Sequence, residues 1–165
     1  MRKKIFAFLL LSALYAGAQE VPDWENPIVV GINKEPYHAT LTLPSQKADC
    51  KEIISLNGKW RFQWSADPGK RPADFYKNDF NTDTWDTIIV PGAWQLQGYG
   101  KPIYSNVNYP FQKDAPKVTS EPPAEYYSYG HRNPTGSYVT TFEVTLDMKD
   151  KCLYLHFEGV KSAMY

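Results

Sequence analysis

A charge excess of either sign is missing from this sequence: 18 Lys and Arg offset 18 Asp and Glu, for a net charge of +0. Binding to nucleic acid or to an anionic membrane surface draws on a basic field, so neither partner is expected. Cysteine is scarce, at two in 165 residues, which excludes a multi-bridge disulfide framework. The histidines His38, His131 and His156 are too scattered for a metal site, with no zincin helix motif or paired-Cys spacing to help, and each reads as a surface or strand histidine. No G-x-S-x-G elbow is present, and Gly98-Tyr99-Gly100-Lys101-Pro102 lacks the spacing of a phosphate loop or a dinucleotide fingerprint. A mean hydropathy of -0.50 excludes a multi-span membrane protein. No stretch sustains a helical period, and no internal repeat is found.

What is present begins with an address. Met1-Arg2-Lys3-Lys4 places cations ahead of the apolar run Ile5 to Tyr15, and Ala16-Gly17-Ala18 offers the small residues that a signal peptidase reads. The apolar run falls short of the roughly 20 residues that span a bilayer, and no second one follows. No Cys stands at the cleavage site to carry a lipid. Residues 1–18 therefore read as a signal peptide, and the mature chain is expected to start at Gln19 in the periplasm or outside the cell, with no membrane association after cleavage. That compartment permits a Cys50–Cys152 bridge, which by chain entropy would contribute on the order of 4–5 kcal/mol. Cys152 also heads an alternating apolar run and reads more readily as an ordinary half-buried thiol.

Residues 19–53 carry Pro, Asp and Asn with little periodicity and read as an extended arm. Strand patterns follow. From Gly58 to Trp64 the chain alternates, with Trp60, Phe62 and Trp64 on one face and Lys59, Arg61 and Gln63 on the other. Asp67-Pro68-Gly69 supplies a turn, Phe75 to Trp85 a loop, and Thr87-Ile88-Ile89-Val90 a short buried strand stopped by Pro91-Gly92. The prolines Pro110, Pro116, Pro122, Pro123 and Pro134 rule out regular structure over most of the next segment. Alternation returns at Tyr138, Thr140, Phe142 and Val144, and at Leu153, Leu155 and Phe157, with a polar turn from Asp147 to Lys151 between them. The expected class is all-β, a jelly-roll sandwich spanning 54–165. With about five strands it is short of the usual seven or eight, so it is expected to be incomplete at its C-terminal end, the front portion of a longer chain.

The chemistry-bearing residues are few. Glu121 and Glu125 lie in the Pro-rich segment and read as solvated carboxylates, since paired acids for sugar hydrolysis need a defined separation across a rigid site. The dense block from Val90 to Phe111 interleaves aromatic rings with amides. Rings can hold the CH faces of a sugar and amides its vicinal hydroxyls. Alternatively, Trp94, Tyr99 and Tyr104 pack and anchor a glycine-rich loop. Composition leaves both readings open.

At this block the sequence resembles the amino-terminal sugar-binding domain of glycoside hydrolase family 2 β-galactosidases. Asp23-Trp24-Glu25-Asn26-Pro27 looks like the opening arm of that family, and Ser55-Leu56-Asn57-Gly58-Lys59-Trp60-Arg61-Phe62 like its first strand. Val90-Pro91, Trp94-Gln95, Gly98-Tyr99, Pro102-Ile103-Tyr104, Asn106-Val107 and Tyr109-Pro110 are similar to the segment that separates the large β-galactosidases from other members. Asn133-Pro134-Thr135-Gly136-Ser137-Tyr138 and Phe157-Glu158-Gly159-Val160 complete the ordered series. The resemblance implies a retaining hydrolase of terminal β-D-galactosides, with two catalytic glutamates on a (β/α)₈ barrel beyond Tyr165 and none in this segment. It also implies magnesium and sodium in the full-length enzyme, with their ligands outside this segment, and a homo-oligomer to whose interface the amino-terminal arm contributes. Only Asn106 carries over as a substrate-binding residue, matching the asparagine that such a domain lends to the galactosyl site. A structural role for Asn106, bracing its own loop, is the alternative.

Two other functions remain open at this level: a stand-alone secreted carbohydrate-binding module, and a structural β-sandwich that mediates assembly. The segment by itself is expected to be inactive.

Overall fold

The computed structural model describes residues 21–36, 53–102, 133–161 and 163–165. Three strands form one antiparallel sheet in the order β2-β1-β3, with β1 at Gly58–Ser65, β2 at Asp86–Val90 and β3 at Thr135–Val139. Short 3₁₀ turns at Asp23–Glu25, Pro68–Lys70, Trp94–Gln97 and Leu146–Met148 complete the regular structure among the described residues. The class is all-β, and an antiparallel sheet with one covered face is the layer from which a sandwich is built. No helix among the described residues is long and apolar enough to cross a membrane.

The register explains where the core lies. β2 pairs with β1 over Gly58 to Phe62, and β3 pairs with it over Arg61 to Ser65. The two ladders overlap only at Arg61 and Phe62, which alone are flanked on both sides. Directly opposed residues share a face, so the row Asp86, Phe62, Tyr138 lies on one side of the sheet and the row Thr87, Arg61, Val139 on the other. Phe62 is 0% exposed, as its central place among three strands predicts. Ile88 sits opposite Trp60 on the same face and is also fully buried. Alternation in β1 therefore does what its sequence implies: the aromatic positions turn toward the covered face, and Lys59 and Arg61 toward solvent.

Outside the sheet, the loop before β2 is a chain of turns closed by Lys77 N–H to the Asp74 carbonyl, Phe80 N–H to the Lys77 carbonyl and Trp85 N–H to the Thr82 carbonyl. It buries Trp85 against the rings of Phe75 and Phe80, at centroid separations of 5.9 and 5.8 Å. The start of the arm is anchored: Arg71 lies 4.4 Å over the Trp24 ring, and Tyr165 meets the same ring edge-on at 6.2 Å.

Three expectations change. β2 is half-buried rather than buried, because it is the edge strand and Ile89 is 49% exposed. β3 runs over Thr135–Val139 and does not continue through Val144, since its ladder with β1 ends at the Arg61 and Val139 pair. Residues 153–157 form no strand, and Leu153, Leu155 and Phe157 are exposed. Alternation provides a face but not a partner, and a strand needs neighbouring backbone to take up its N–H and C=O groups. No described strand pairs with 153–157.

Candidate functional site

The covered face of the sheet is roofed by the segment that follows β2. After the cis Val90–Pro91 peptide, the chain turns through Trp94–Gln97 and returns at Gly98, whose φ of 97° is readily available only to glycine. The Tyr99 N–H closes this turn on the Trp94 carbonyl at 3.1 Å. Both aromatic residues then land on Phe62, with Tyr99 at a centroid distance of 4.7 Å and Trp94 at 6.0 Å. Tyr138 approaches from β3 at 4.8 Å and meets Trp60 edge-on at 6.4 Å. These offset and edge contacts are the geometry that ring quadrupoles favour.

Two further devices hold the roof in place. Gln97 uses both ends of its amide on one residue of the edge strand: the Ile89 N–H donates to Gln97 Oε1 at 2.8 Å, and Gln97 Nε2 donates to the Ile89 carbonyl at 3.0 Å. In an antiparallel ladder alternate residues turn both backbone groups outward, and Ile89 is such a residue, so Gln97 pairs with β2 as a neighbouring strand would. Gly92 makes room for this, since a Cβ there would come within 2.7 Å of Gln97 Nε2 and 2.9 Å of the Ile89 carbonyl. Next, the Tyr99 hydroxyl donates a hydrogen bond to the Asp86 carboxylate. Burial pushes the Tyr99 phenol above the usual tyrosine range, and the Asp86 bond and charge push it further. Burial alone does the same for Tyr138. Beneath Tyr99 the chain passes close to Trp64: Gly100 has a φ of 63°, and a Cβ there would sit 3.4 Å from the indole nitrogen.

This geometry decides part of the question that composition left open. Trp94 and Tyr99 are packing residues of the sheet face, not exposed platforms for a sugar. Gln97, one of the block's amides, is engaged with backbone. Tyr104, Asn106, Glu121, Glu125, His38, His131 and Cys50 lie outside the described residues, as does the 1–18 segment expected to be a signal peptide. His156 and Cys152 are exposed. Among the described residues no group of three or more His, Cys, Asp or Glu could hold a metal ion. Sequence reasoning missed the Gln97 clamp. Its only local signal is Gly92 five positions earlier, a residue that also reads as an ordinary turn glycine after proline.

These features define an all-β domain whose loop segment, roofing one sheet face, leads directly into the amide-rich stretch. The family model described as "Glycosyl hydrolases family 2, sugar binding domain" matches residues 53–165, and the chain belongs to that family. It is 38% identical over 160 residues to a beta-galactosidase of Priestia megaterium, a match covering 91% of this chain and 15% of that protein. A beta-galactosidase of Vibrio vulnificus is 37% identical over 148 residues, covering 87% of this chain and 13% of the relative. One from Clostridium acetobutylicum is 38% identical over 150 residues, covering 87% and 16%. The chain thus spans about one seventh of the length of the curated relatives it matches.

Proposed function

We propose that this chain is the amino-terminal part of a secreted or periplasmic β-galactosidase, which hydrolyses terminal non-reducing β-D-galactosides with retention and serves carbohydrate catabolism. The observation that carries the reading is the extent of the match: 91% of the chain aligns with a beta-galactosidase, more than residues 53–165 make up, so the likeness takes in part of the arm as well as the sugar-binding domain. In this reading residues 1–18 are removed on export, 19–53 form the arm and 54–165 the sugar-binding domain. The protein assembles as a homo-oligomer.

The chemistry is assigned to two glutamates outside this chain, on a (β/α)₈ barrel, acting as acid/base and as nucleophile. Magnesium and sodium, implied by the family resemblance for the full-length enzyme, are assigned to the same outlying part. The chain's own contribution is scaffold and one amide. Asn106 stands four residues beyond Pro102, the last described residue of the roof segment. Its carboxamide can donate and accept at once, which suits a sugar hydroxyl.

The test is to express the complete gene product and assay it on matched nitrophenyl β-galactoside and β-glucoside, following the anomer released by NMR. Galactoside turnover with a β-galactose first product is expected. Turnover confined to another glycoside, release of the α anomer, or sugar binding without hydrolysis by the complete protein would overturn the reading, the last in favour of a carbohydrate-binding module.

A further inference from the structure

We propose that Gln97 is an intramolecular edge lock: its amide takes the place of a neighbouring strand at Ile89 and so keeps β2 from pairing with β2 of a second copy of this chain.

The tendency to pair is written in β2 itself. Thr87-Ile88-Ile89-Val90 is a β-branched run without charge, glycine or proline. Such residues favour strands, and an uncharged edge built from them is a template for another chain. Among the described residues β2 has a strand on one side only, and the Ile89 side chain is 49% exposed. Two identical strands laid antiparallel are related by a two-fold axis, so the edge is complementary to its own copy. The devices that discourage such pairing stand at the ends of the run: the charge of Asp86 before it, and Pro91, which has no N–H, after it. Gln97 acts between them. A carboxamide offers an acceptor and a donor as a peptide group does, and its bonds to Ile89, at 2.8 and 3.0 Å, have the lengths of a backbone ladder. An approaching strand therefore finds both outward groups of Ile89 engaged until Gln97 withdraws. Gln97 also has the advantage in that competition, because it lies eight residues away in the same chain, whereas a second copy gives up translational and rotational freedom for the same two bonds. The rings of Trp94 and Tyr99 keep the turn that carries Gln97 seated on Phe62, and Gly92 leaves the space its amide fills.

The test uses the purified full-length protein and its variants Gln97→Met, Ile89→Lys and Gln97→Met/Ile89→Lys, with particle mass measured by light scattering over a range of concentrations and hydrogen exchange followed in peptides covering 86–90. Gln97→Met keeps the side-chain length and removes both bonds. Its particle mass is expected to rise with concentration to about twice that of the parent, as closed pairing of two particles requires, while the 86–90 amides become protected in step. Ile89→Lys places a charge on the opened edge, so the double variant should return to the parent mass although the clamp is still missing. A role confined to stability would lower the melting temperature of Gln97→Met and leave its mass unchanged, and that result overturns the proposal. A mass increase that Ile89→Lys does not reverse, or one without protection at 86–90, overturns it as well, because association then runs through another surface. Should Gln97→Met fold poorly, Gln97→Asn, which keeps the amide but is one methylene too short to reach both groups of Ile89, carries the same comparison with and without Ile89→Lys.

Discussion

Gly136 of β3 lies directly beneath the ring of Trp94. A Cβ added there would collide with Trp94 Cζ3, come within 2.7 Å of its Cε3 and within 2.6 Å of Phe62 Cε2. Because Gly136 pairs with Trp64 across the ladder, it shares the face that the roof covers. The close approach of Trp94 to the sheet therefore depends on a missing side chain in another strand.

From that contact the effect of substitution at Gly136 follows. The obstructing atoms belong to two packed rings and cannot swing aside, so Gly136→Ala is an overpacking change, expected to cost about 1–3 kcal/mol. Gly136→Val should be worse. In the full-length protein the loss appears as a lower melting temperature with altered tryptophan emission. An unchanged melting curve for Gly136→Val would mean that the roof does not lie as close as described.

Three aromatic rings, those of Trp94, Tyr99 and Tyr138, converge on Phe62, a fully buried ring at one of the two rows where three strands overlap. Phe62→Ala should cost about 3–5 kcal/mol, the range for emptying a buried aromatic site. Ile89→Ala, on the exposed face of the edge strand, should cost far less. Denaturant melts of both variants make the comparison, and equal losses would contradict the assignment of the covered face.

The two raised tyrosines give a pH dependence of definite sign. Their folded pKa values lie above that of an unfolded tyrosine, near 10. Folding thus favours the protonated phenols, and the associated stability is fully present below about pH 10 and is lost as the pH rises through the higher folded values. Spectrophotometric titration should show Tyr99 and Tyr138 ionising after the exposed tyrosines, in step with alkaline unfolding. Tyr99→Phe removes the bond to Asp86 and should delete one late-ionising group. A titration curve identical to that of the parent would refute the raised, Asp86-bonded state of Tyr99.

How much of this was legible in the sequence differs from element to element, for physical reasons. β1 could be read because strict alternation over seven residues leaves one arrangement that buries Trp60 and Phe62 while exposing Lys59 and Arg61. The alternation at Leu153, Leu155 and Phe157 misled, because periodicity encodes a face and says nothing of whether another strand is there to pair. The roof segment was recognised as dense in aromatics and amides, but composition cannot tell a ring that stacks on a sugar from one that stacks on Phe62. Nor could it tell that the Gln97 amide serves the Ile89 backbone. Such assignments depend on contacts between strands brought together by the fold, such as Phe62 with Tyr138, 76 positions apart by their numbering. Asn106 was singled out by family resemblance, and kinetics must test it.

Asn106→Ala separates the two roles open to that residue. In the sequence Asn106 stands between Pro102 and Pro110. If it contacts a galactose hydroxyl in a desolvated site, its loss leaves the partner hydroxyl unsatisfied, a cost of about 1–3 kcal/mol. At about 1.4 kcal/mol per tenfold, kcat/KM in the full-length enzyme should then fall by roughly ten- to a hundredfold, with a nearly unchanged melting temperature. If the amide instead braces its own loop, stability should fall while kcat/KM on the folded enzyme is preserved. Measuring both on one preparation distinguishes these results, and an unaltered kcat/KM removes Asn106 from the substrate site.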